Sequence, residues 1–147
     1  MMRTKFPKKY ITTQTIGNIG LFYVCYELSL FGWNVLPTSR NAKGVDIIIF
    51  SQNASRKLSI QVKTLSKRNP VPLGTNLDNF FADYVVICVR NSSNEPVCYV
   101  MTPGEVRDLA HKGEKDGKVS YWLQPRAYEN DKYKENWKRI GHGVQYN

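Results

Sequence analysis

The sequence predicts an α/β fold in which helices cover a mixed central sheet. Three observations lead to this prediction: an apolar helical stretch near the start, several short runs rich in Val and Ile, and a second helix after them. The chain has 147 residues, of which 41% are hydrophobic, so one domain can bury a core of its own. We therefore expect residues 1–147 to form a single domain.

The first helix is predicted over residues 13–31. Thr13 or Thr15 can cap its start, and Gly32 supplies a left-handed stop. Apolar residues occupy nearly every side of this helix. A helix that is apolar all round is typically buried, so we expect the fold to cover it.

Five apolar runs predict the strands of the sheet. They span residues 33–36, 46–50, 58–62, 84–89 and 97–101. The intervening segment 66–76 holds two prolines and a glycine, and it is predicted to be an irregular surface loop.

The C-terminal third predicts a second helix, one more strand and a final short helix. Thr102 caps the second helix, with Pro103 at its first position and Glu105 at its third, in a capping-box pattern. Residues 119–124 predict the strand, and residues 129–140 predict the short helix. One side of that helix would carry Tyr133, Trp137 and Ile140.

Three cysteines, Cys25, Cys88 and Cys98, lie inside apolar runs and form no CxxC pair. An odd number of cysteines in predicted core elements favours reduced thiols and a cytoplasmic protein. The basic residues 1–10 lead into no uninterrupted apolar core, so we expect no signal peptide. The longest apolar run, residues 19–31, is too short to cross a bilayer and carries Glu27, so no membrane association is expected.

The positive charge of the chain is concentrated in its first half. The net charge is +9; residues 1–75 hold eleven Lys or Arg and two acids, whereas residues 76–147 hold ten of each sign. A basic half of this kind is typical of a protein that binds a polyanion, most commonly nucleic acid, by neutralising phosphates. A surface that only keeps the protein soluble is the alternative interpretation.

The segment from Asp46 to Lys63 predicts a polar cluster at one end of a hairpin. Gln61 and Lys63 stand two residues apart on a strand, so they project from the same face. If the strand that opens at Asp46 pairs antiparallel with theirs, Asp46 meets both of them. The Asp46 carboxylate, the Gln61 amide oxygen and the Val62 backbone carbonyl are oxygen ligands of the kind that Mg²⁺ or Mn²⁺ takes.

Lys63 would complete this cluster by positioning an attacking water or by offsetting charge that develops on a phosphate. The structural alternative is that Asp46 and Lys63 form a surface ion pair, which contributes little by itself.

The pattern GVD, followed by QVK with Gln61 fifteen positions after Asp46, resembles the core motif of the PD-(D/E)xK nuclease superfamily. The resemblance extends from about residue 13 to residue 89, and it is strongest to Mrr-type restriction enzymes and junction resolvases, in which Q-x-K is an accepted variant of E-x-K. It implies a restriction-endonuclease-like fold with an αβββαβ-type core. It also implies that Asp46 and Gln61 bind metal and that Lys63 serves catalysis.

Two positions depart from the pattern of that superfamily. Many members carry a glutamate on the first helix, where this chain has Leu21, and Gln61 replaces a carboxylate by a neutral amide. We therefore expect one weakly bound Mg²⁺ or Mn²⁺ ion, with a DNA phosphate completing its coordination shell.

Glu27 is an additional candidate ligand for this ion. It lies six residues after Leu21, roughly 240° around the helix, so it reaches the site only if the helix is rotated or shifted. The alternative is that Glu27 extends to solvent or pairs with a basic residue.

Four basic residues flank the predicted site along the chain. Arg40 and Lys43 precede Asp46, and Lys67 and Arg68 follow the strand of Lys63. We expect all four to border one end of the sheet and to contact phosphates on either side of the scissile bond. Each one taken singly would be an ordinary solvated loop charge.

Three functions follow from these observations. The first is a Mg²⁺- or Mn²⁺-dependent endonuclease that hydrolyses phosphodiester bonds of DNA, with a homodimer expected if it cuts both strands. The second is a protein of the same fold that binds DNA without cleaving it. The third is an interaction protein whose basic face binds an acidic protein. The sequence offers neither zinc-ligand spacing around His111 or His142 nor a glycine-rich nucleotide loop.

Overall fold

A five-stranded mixed sheet forms the centre of the structure. The computed structural model describes residues 11–39, 43–91 and 95–144. The elements are α1 (Thr13–Leu30), β1 (Asn34–Pro37), β2 (Ile47–Phe50), β3 (Lys57–Leu65), β4 (Val71–Gly74), β5 (Tyr84–Val89), β6 (Val97–Met101), α2 (Pro103–Leu109), β7 (His111–Lys115), β8 (Lys118–Leu123) and α3 (Pro125–Tyr128). The central sheet has the order β1-β2-β3-β5-β6, with β3 and β5 parallel and the other neighbours antiparallel. A second sheet has the order β4-β8-β7.

The predicted fold class is confirmed: a mixed central sheet is flanked by helices. The bounds predicted for β5 and β6 are those observed. The connection from β3 to the parallel strand β5 passes through β4 and a 3-10 helix, Leu77–Asn79, where the resemblance implied an α-helix. Pro70 and Pro72 explain this difference, because proline inside an α-helix removes a hydrogen bond and collides with the preceding turn.

Helix α1 covers one face of the central sheet. A hydrophobic cluster between them includes Val24, Leu28, Ile47, Ile49 and Ile60. The contact is close at Gly20, where an added Cβ atom would overlap the side chain of Thr64 on β3. The absence of a side chain at Gly20 therefore lets α1 approach β3 near the end of that strand.

The opposite face of the central sheet packs against the second sheet and the two shorter helices. Its hydrophobic cluster includes Val71, Leu73, Val85, Ile87, Val106, Leu123 and Tyr128. Alternate residues of β3 and β5 contribute to the two clusters, as the alternation of side chains along a strand requires. Gln61 and Lys63 belong to this second face, beside Val85 and Ile87 in the strand register.

The prediction that α1 is buried on all sides is wrong. Phe22, Tyr26 and Leu30 are 60%, 59% and 64% exposed, although they lie on a helix with apolar residues all round. They stand four residues apart and share the side of α1 that points away from the sheet. The predicted stop at Gly32 is confirmed by its φ of 86°, but the N-terminal cap is Thr12, whose hydroxyl accepts a hydrogen bond from the Thr15 N–H.

Two segments form strands that the sequence did not predict. Part of the predicted loop 66–76 is β4, which accommodates Pro72 because it is an edge strand of the second sheet. Residues 111–118 form most of a hairpin, in which β7 pairs with β8. The turn is made by Asp116 and Gly117, both with positive φ, as a tight hairpin turn requires.

The predicted helix over residues 129–140 is also wrong. This segment is irregular apart from a 3-10 helix, Trp137–Arg139. Its apolar residues are nevertheless buried as expected: Tyr133 is 6% exposed, Trp137 3% and Ile140 1%. Contacts with the sheet hold the segment, since Val100 N–H donates to the Tyr133 carbonyl and Glu135 N–H donates to the Cys98 carbonyl.

The three cysteines are free thiols in the core, as predicted. Cys88 and Cys98 face each other on β5 and β6, with their Sγ atoms 2.7 Å apart. Burial raises the pKa of the Cys98 thiol far above its ordinary value, and the adjacent Cys88 raises it further. In the three described ranges of the chain, no helix is long and apolar enough to span a bilayer.

Glu105 ties α2 to the C-terminal segment. Its carboxylate accepts hydrogen bonds from the Thr102 N–H and from Arg139 Nη2, each at 2.9 Å, and it lies 2.9 Å from Lys132 Nζ. Burial by itself raises the pKa of Glu105, but the hydrogen bonds from Arg139, Thr102 and Lys132 outweigh burial and lower the pKa to about 2. The predicted capping box is confirmed at this residue.

We expect Glu105→Gln to lower the free energy of unfolding at neutral pH by on the order of 2 to 3 kcal/mol. Because the pKa of Glu105 is lowered in the folded protein, its carboxylate contributes fully to the free energy of unfolding above pH 4.5, the ordinary pKa of the group. This contribution declines as the pH falls towards about 2. Chemical denaturation between pH 7 and pH 2 should therefore show the wild type losing stability in that interval more steeply than the variant. Glu114→Gln, on the exposed strand β7, serves as the control. Parallel pH profiles for wild type and Glu105→Gln would contradict the expectation.

We expect Gly20→Ala to destabilise the protein by about 1 to 3 kcal/mol, because the methyl group collides with Thr64. The matched control is Gly17→Ala on the same helix, where an added Cβ meets nothing within 4 Å. That control should gain up to about 1 kcal/mol from helix propensity. Thermal and denaturant unfolding measure both effects, and equal stability of the two variants would show that α1 does not approach β3 at Gly20.

Candidate functional site

Asp46 stands immediately before β2 and is bonded to β3 through both its backbone and its side chain. Its N–H donates to the Ile60 carbonyl at 2.9 Å. Its Oδ2 accepts a hydrogen bond from the Val62 N–H at 2.7 Å. One oxygen of the carboxylate therefore holds it at the edge of β3. Each carboxylate oxygen has two lone pairs, so the group can accept further hydrogen bonds or bind a cation.

Gln61 precedes Val62, the residue whose N–H binds the Asp46 carboxylate. The pairing of β2 with β3 ends with Ile47 opposite Ile60. Asp46 lies outside this register, because its N–H is bonded to the Ile60 carbonyl, whereas a residue directly opposite Gln61 would direct its N–H away from β3. Gln61 Oε1 is buried, and no described residue donates a hydrogen bond to it. A buried amide oxygen without a protein donor thus belongs to the residue next to the one that binds Asp46.

Lys63 projects from the same face of β3 as Gln61, two residues nearer the end of the strand. Its Nζ lies 5.6 Å from the centre of the Phe80 ring, within the range of a cation–π contact. This contact orients the ammonium on the second face of the sheet.

The Val62 carbonyl completes the group of polar atoms. A strand residue directs its N–H and its C=O to the same neighbouring strand, so both polar groups of Val62 point towards the side of β2. Because Ile60 is the last residue of β3 with a partner in β2, Val62 lies beyond the end of that strand. Its carbonyl therefore opens beside Asp46 rather than onto another strand.

Gln61 and Lys63 thus share one face near the end of β3, and the Asp46 carboxylate is bonded to the backbone of Val62, the residue between them. The oxygen atoms of these residues comprise one carboxylate, one amide oxygen without a protein donor and one backbone carbonyl. Such atoms are of the kind that a hard divalent cation takes while it retains several water ligands. Among the described residues, no three His, Cys, Asp or Glu side chains cluster in a way that could hold a metal.

The structure does not bring Glu27 to this group. Helix α1 covers the face opposite to Gln61 and Lys63, and the Glu27 carboxylate is engaged with Tyr23 on the same helix. Burial raises the pKa of the Tyr23 hydroxyl, and the negative charge of Glu135 and a hydrogen bond to Glu27 raise it further. Leu21 packs against the first hydrophobic cluster, which makes the position a part of the core.

Of the four basic residues predicted to flank the site, Arg40 lies outside the described residues. Lys43 and Lys67 are exposed at the predicted end of the sheet. Arg68 is exposed too, but its Nε donates to the Glu129 carboxylate in an ion pair, which offsets part of its charge.

Sequence reasoning missed Arg90, which follows β5 at the same end of the sheet. Its N–H donates to the Leu65 carbonyl at 2.8 Å, and its side chain lines a cavity of 230 Å³ together with Lys67, Ser66, Ile11 and Ile16. Because β3 and β5 are parallel, the segments after both strands emerge at one edge. The basic residues at this edge therefore come from two separate parts of the chain.

Sequence reasoning also missed Phe80 and Phe81. Phe80 is 2% exposed and lies under Lys63, whereas Phe81 is 60% exposed and touches the loop that leads to Asp46. Two adjacent aromatic residues in a connecting segment were the only signal of these positions in the sequence. That signal does not distinguish core residues from site residues.

No family model matches the sequence, and no curated protein matches it. The structure is similar to a solved structure of a bacterial homing endonuclease, I-Ssp6803I, with a TM-score of 0.57. The two chains are 18% identical, and the similarity covers 88% of this chain and 91% of the other. The chain therefore has a nuclease-like fold, and its membership of the PD-(D/E)xK superfamily stays a prediction.

We expect Gln61→Met to raise the free energy of unfolding by about 1 to 2 kcal/mol in metal-free buffer, because it removes a buried acceptor that has no donor. Gln52→Met is the matched control, since Gln52 Nε2 donates to the Gly32 carbonyl at 2.8 Å and the substitution removes that bond. The control should leave stability unchanged or lower it. Denaturant unfolding measures both, and a loss of stability in Gln61→Met would mean that the amide oxygen has a partner in solution.

Proposed function

We propose that this protein is a metal-dependent endonuclease that hydrolyses phosphodiester bonds in DNA. The observation that carries the proposal is the buried Gln61 Oε1, which lacks a protein donor and belongs to the residue next to Val62, whose N–H binds the Asp46 carboxylate. Leaving such an acceptor unpaired costs about 1 to 3 kcal/mol, so a protein retains it where a ligand will satisfy it.

A divalent cation is the ligand that these atoms suit. Asp46, Gln61 and the Val62 carbonyl would hold a single Mg²⁺ or Mn²⁺ ion through oxygen atoms. When bound, such an ion supplies Lewis-acid polarisation of a phosphoryl oxygen. With one carboxylate among the ligands, the affinity of the free protein for the ion is expected to be weak.

Lys63 would act on the phosphate and on the attacking water. Its ammonium projects from the same face of β3 as Gln61 and is steadied by the Phe80 ring. From there it would hold a water for attack on phosphorus and offset the negative charge that grows on the phosphoryl oxygens. The Asp46 carboxylate accepts a hydrogen bond from the Val62 N–H, and this bond keeps it oriented during the reaction.

The DNA backbone would lie along the basic edge of the sheet. Lys43 belongs to the loop before Asp46, whereas Lys67 and Arg90 follow the ends of β3 and β5. Exposed cations on both sides of the site would hold phosphates flanking the scissile bond, together with Arg40. The similarity in fold to a homing endonuclease supports a substrate of this class.

A second function, DNA binding without cleavage, is favoured by one specific observation. The described residues provide no cluster of three His, Cys, Asp or Glu side chains that could hold a metal ion. A protein of this kind would use the same basic edge for DNA and would have no need of Lys63 as a catalyst.

A nicking assay with supercoiled plasmid and Mn²⁺ tests the first function against the second. We expect cleavage by the wild type and a loss of at least roughly 100-fold in rate for both Asp46→Ala and Lys63→Ala, since each removes a group that acts on the reacting phosphate. Lys57→Ala is the matched control, because Lys57 is an exposed lysine at the opposite end of the same strand. DNA binding by the wild type without any nicking would support the second function, and equal activity of all four proteins would overturn the assigned site.

Isothermal calorimetry of Mn²⁺ binding gives a readout that does not depend on activity. Gln61→Glu adds a second carboxylate beside Asp46, so we expect it to bind Mn²⁺ at least about tenfold more tightly than the wild type. Gln52→Glu adds the same charge away from the site and should leave the affinity unchanged. Identical binding by the two variants would show that Gln61 is not a ligand.

A further inference from the structure

We propose that Phe81 is a base-contacting residue, whose ring stacks on a nucleobase next to the phosphate bound between Asp46 and Lys63. This inference rests on the proposed function and adds the part of the substrate that the site would recognise beyond its phosphate. A DNA base that is unstacked on at least one side is the chemical group that such a ring would take.

Phe81 is presented by a rigid backbone. The ring is 60% exposed, whereas Phe80 and Ala82 on either side of it are each 2% exposed. The two neighbours anchor the segment in the core, and the Phe80 ring also lies under the Lys63 ammonium. The exposed ring therefore has a fixed origin beside the site, with little freedom to collapse onto the protein surface.

The ring borders the loop that carries Asp46. A Cβ atom placed on Gly44 would lie 2.6 Å from Phe81 Cζ and 3.0 Å from Phe81 Cε1, so the ring packs directly on the bare backbone of Gly44. Gly44 has a φ of 74°, a conformation that favours glycine, and it precedes Asp46 by two residues. Phe81 thus packs on the loop two residues before Asp46, and its neighbour Phe80 lies under Lys63.

The chemistry of this position suits a nucleobase. A single exposed apolar side chain is ordinary on a protein surface, but here it stands beside polar groups suited to a phosphate. Aromatic side chains bind bases by stacking, and they do so with little sequence preference because every base has a π-face. With the exposed ammonium of Lys43 next to Gly44, a cation for the backbone and a ring for the base lie side by side.

Oligonucleotides with a single 2-aminopurine, whose fluorescence reports stacking, test this inference without requiring cleavage. The label is moved position by position through single-stranded and duplex DNA, and binding is measured by titration in EDTA. For the wild type we expect binding to change the fluorescence of the label. Phe81→Ala should abolish that change and weaken binding about tenfold, whereas Phe81→Trp should preserve both.

Phe22→Ala is the matched control, because Phe22 is also a phenylalanine with 60% exposure but lies on α1, on the other face of the sheet. Its binding and fluorescence should equal those of the wild type. If Phe81→Ala also behaves like the wild type while the wild type binds and nicks DNA, the inference fails and the proposed function stands. If the wild type neither binds the oligonucleotides nor nicks plasmid with Mn²⁺, the proposed function fails together with the inference.

Discussion

The antiparallel register between β2 and β3 is the constraint on which the candidate site depends. With Ile47 opposite Ile60, the side chains of Ile47, Ile49 and Ile60 all enter the cluster under α1. The same pairing turns Gln61 to the other face, and it ends one residue after Asp46, whose carboxylate binds the Val62 N–H. A slip of one residue would move each side chain to the wrong face and expose three isoleucines. Burial of the core therefore stabilises the arrangement of the site, although no site residue contributes to that burial.

The two faces of the sheet are used differently. The face under α1 is closely packed, down to the contact of Gly20 with Thr64. On the other face the second sheet covers Val85 and Ile87, and polar groups occupy the end of β3. There the protein retains a buried amide oxygen without a donor, next to a carboxylate held by one backbone N–H. A cation and a phosphate can supply the partners that these polar groups lack in the free protein. Until they bind, the unpaired groups lower the stability of the free protein.

The parallel pairing of β3 and β5 gathers the basic residues. Both strands end at the same edge, so Lys67 and Arg90 become neighbours although 23 residues separate them in the chain. The antiparallel strand β2 begins at that edge, which brings Lys43 there as well. The charge is not uniform along this edge, because Glu129 pairs with Arg68. The strand order thus places basic residues from separate parts of the chain at the edge of the sheet where Asp46 and Lys63 lie.

By itself, the sequence determined the fold class, the bounds of β5 and β6, the capping box at Thr102 and the antiparallel pairing of β2 with β3, because local periodicity and a short hairpin carry that information. Only the tertiary structure decided which side of α1 remains exposed, that Glu27 lies on the opposite face, and that Arg90 and Phe81 border the site. Contacts between segments far apart in the chain settle those positions. The pattern of apolar residues in a sequence indicates that a residue can be buried, but it does not indicate which other segment packs against it.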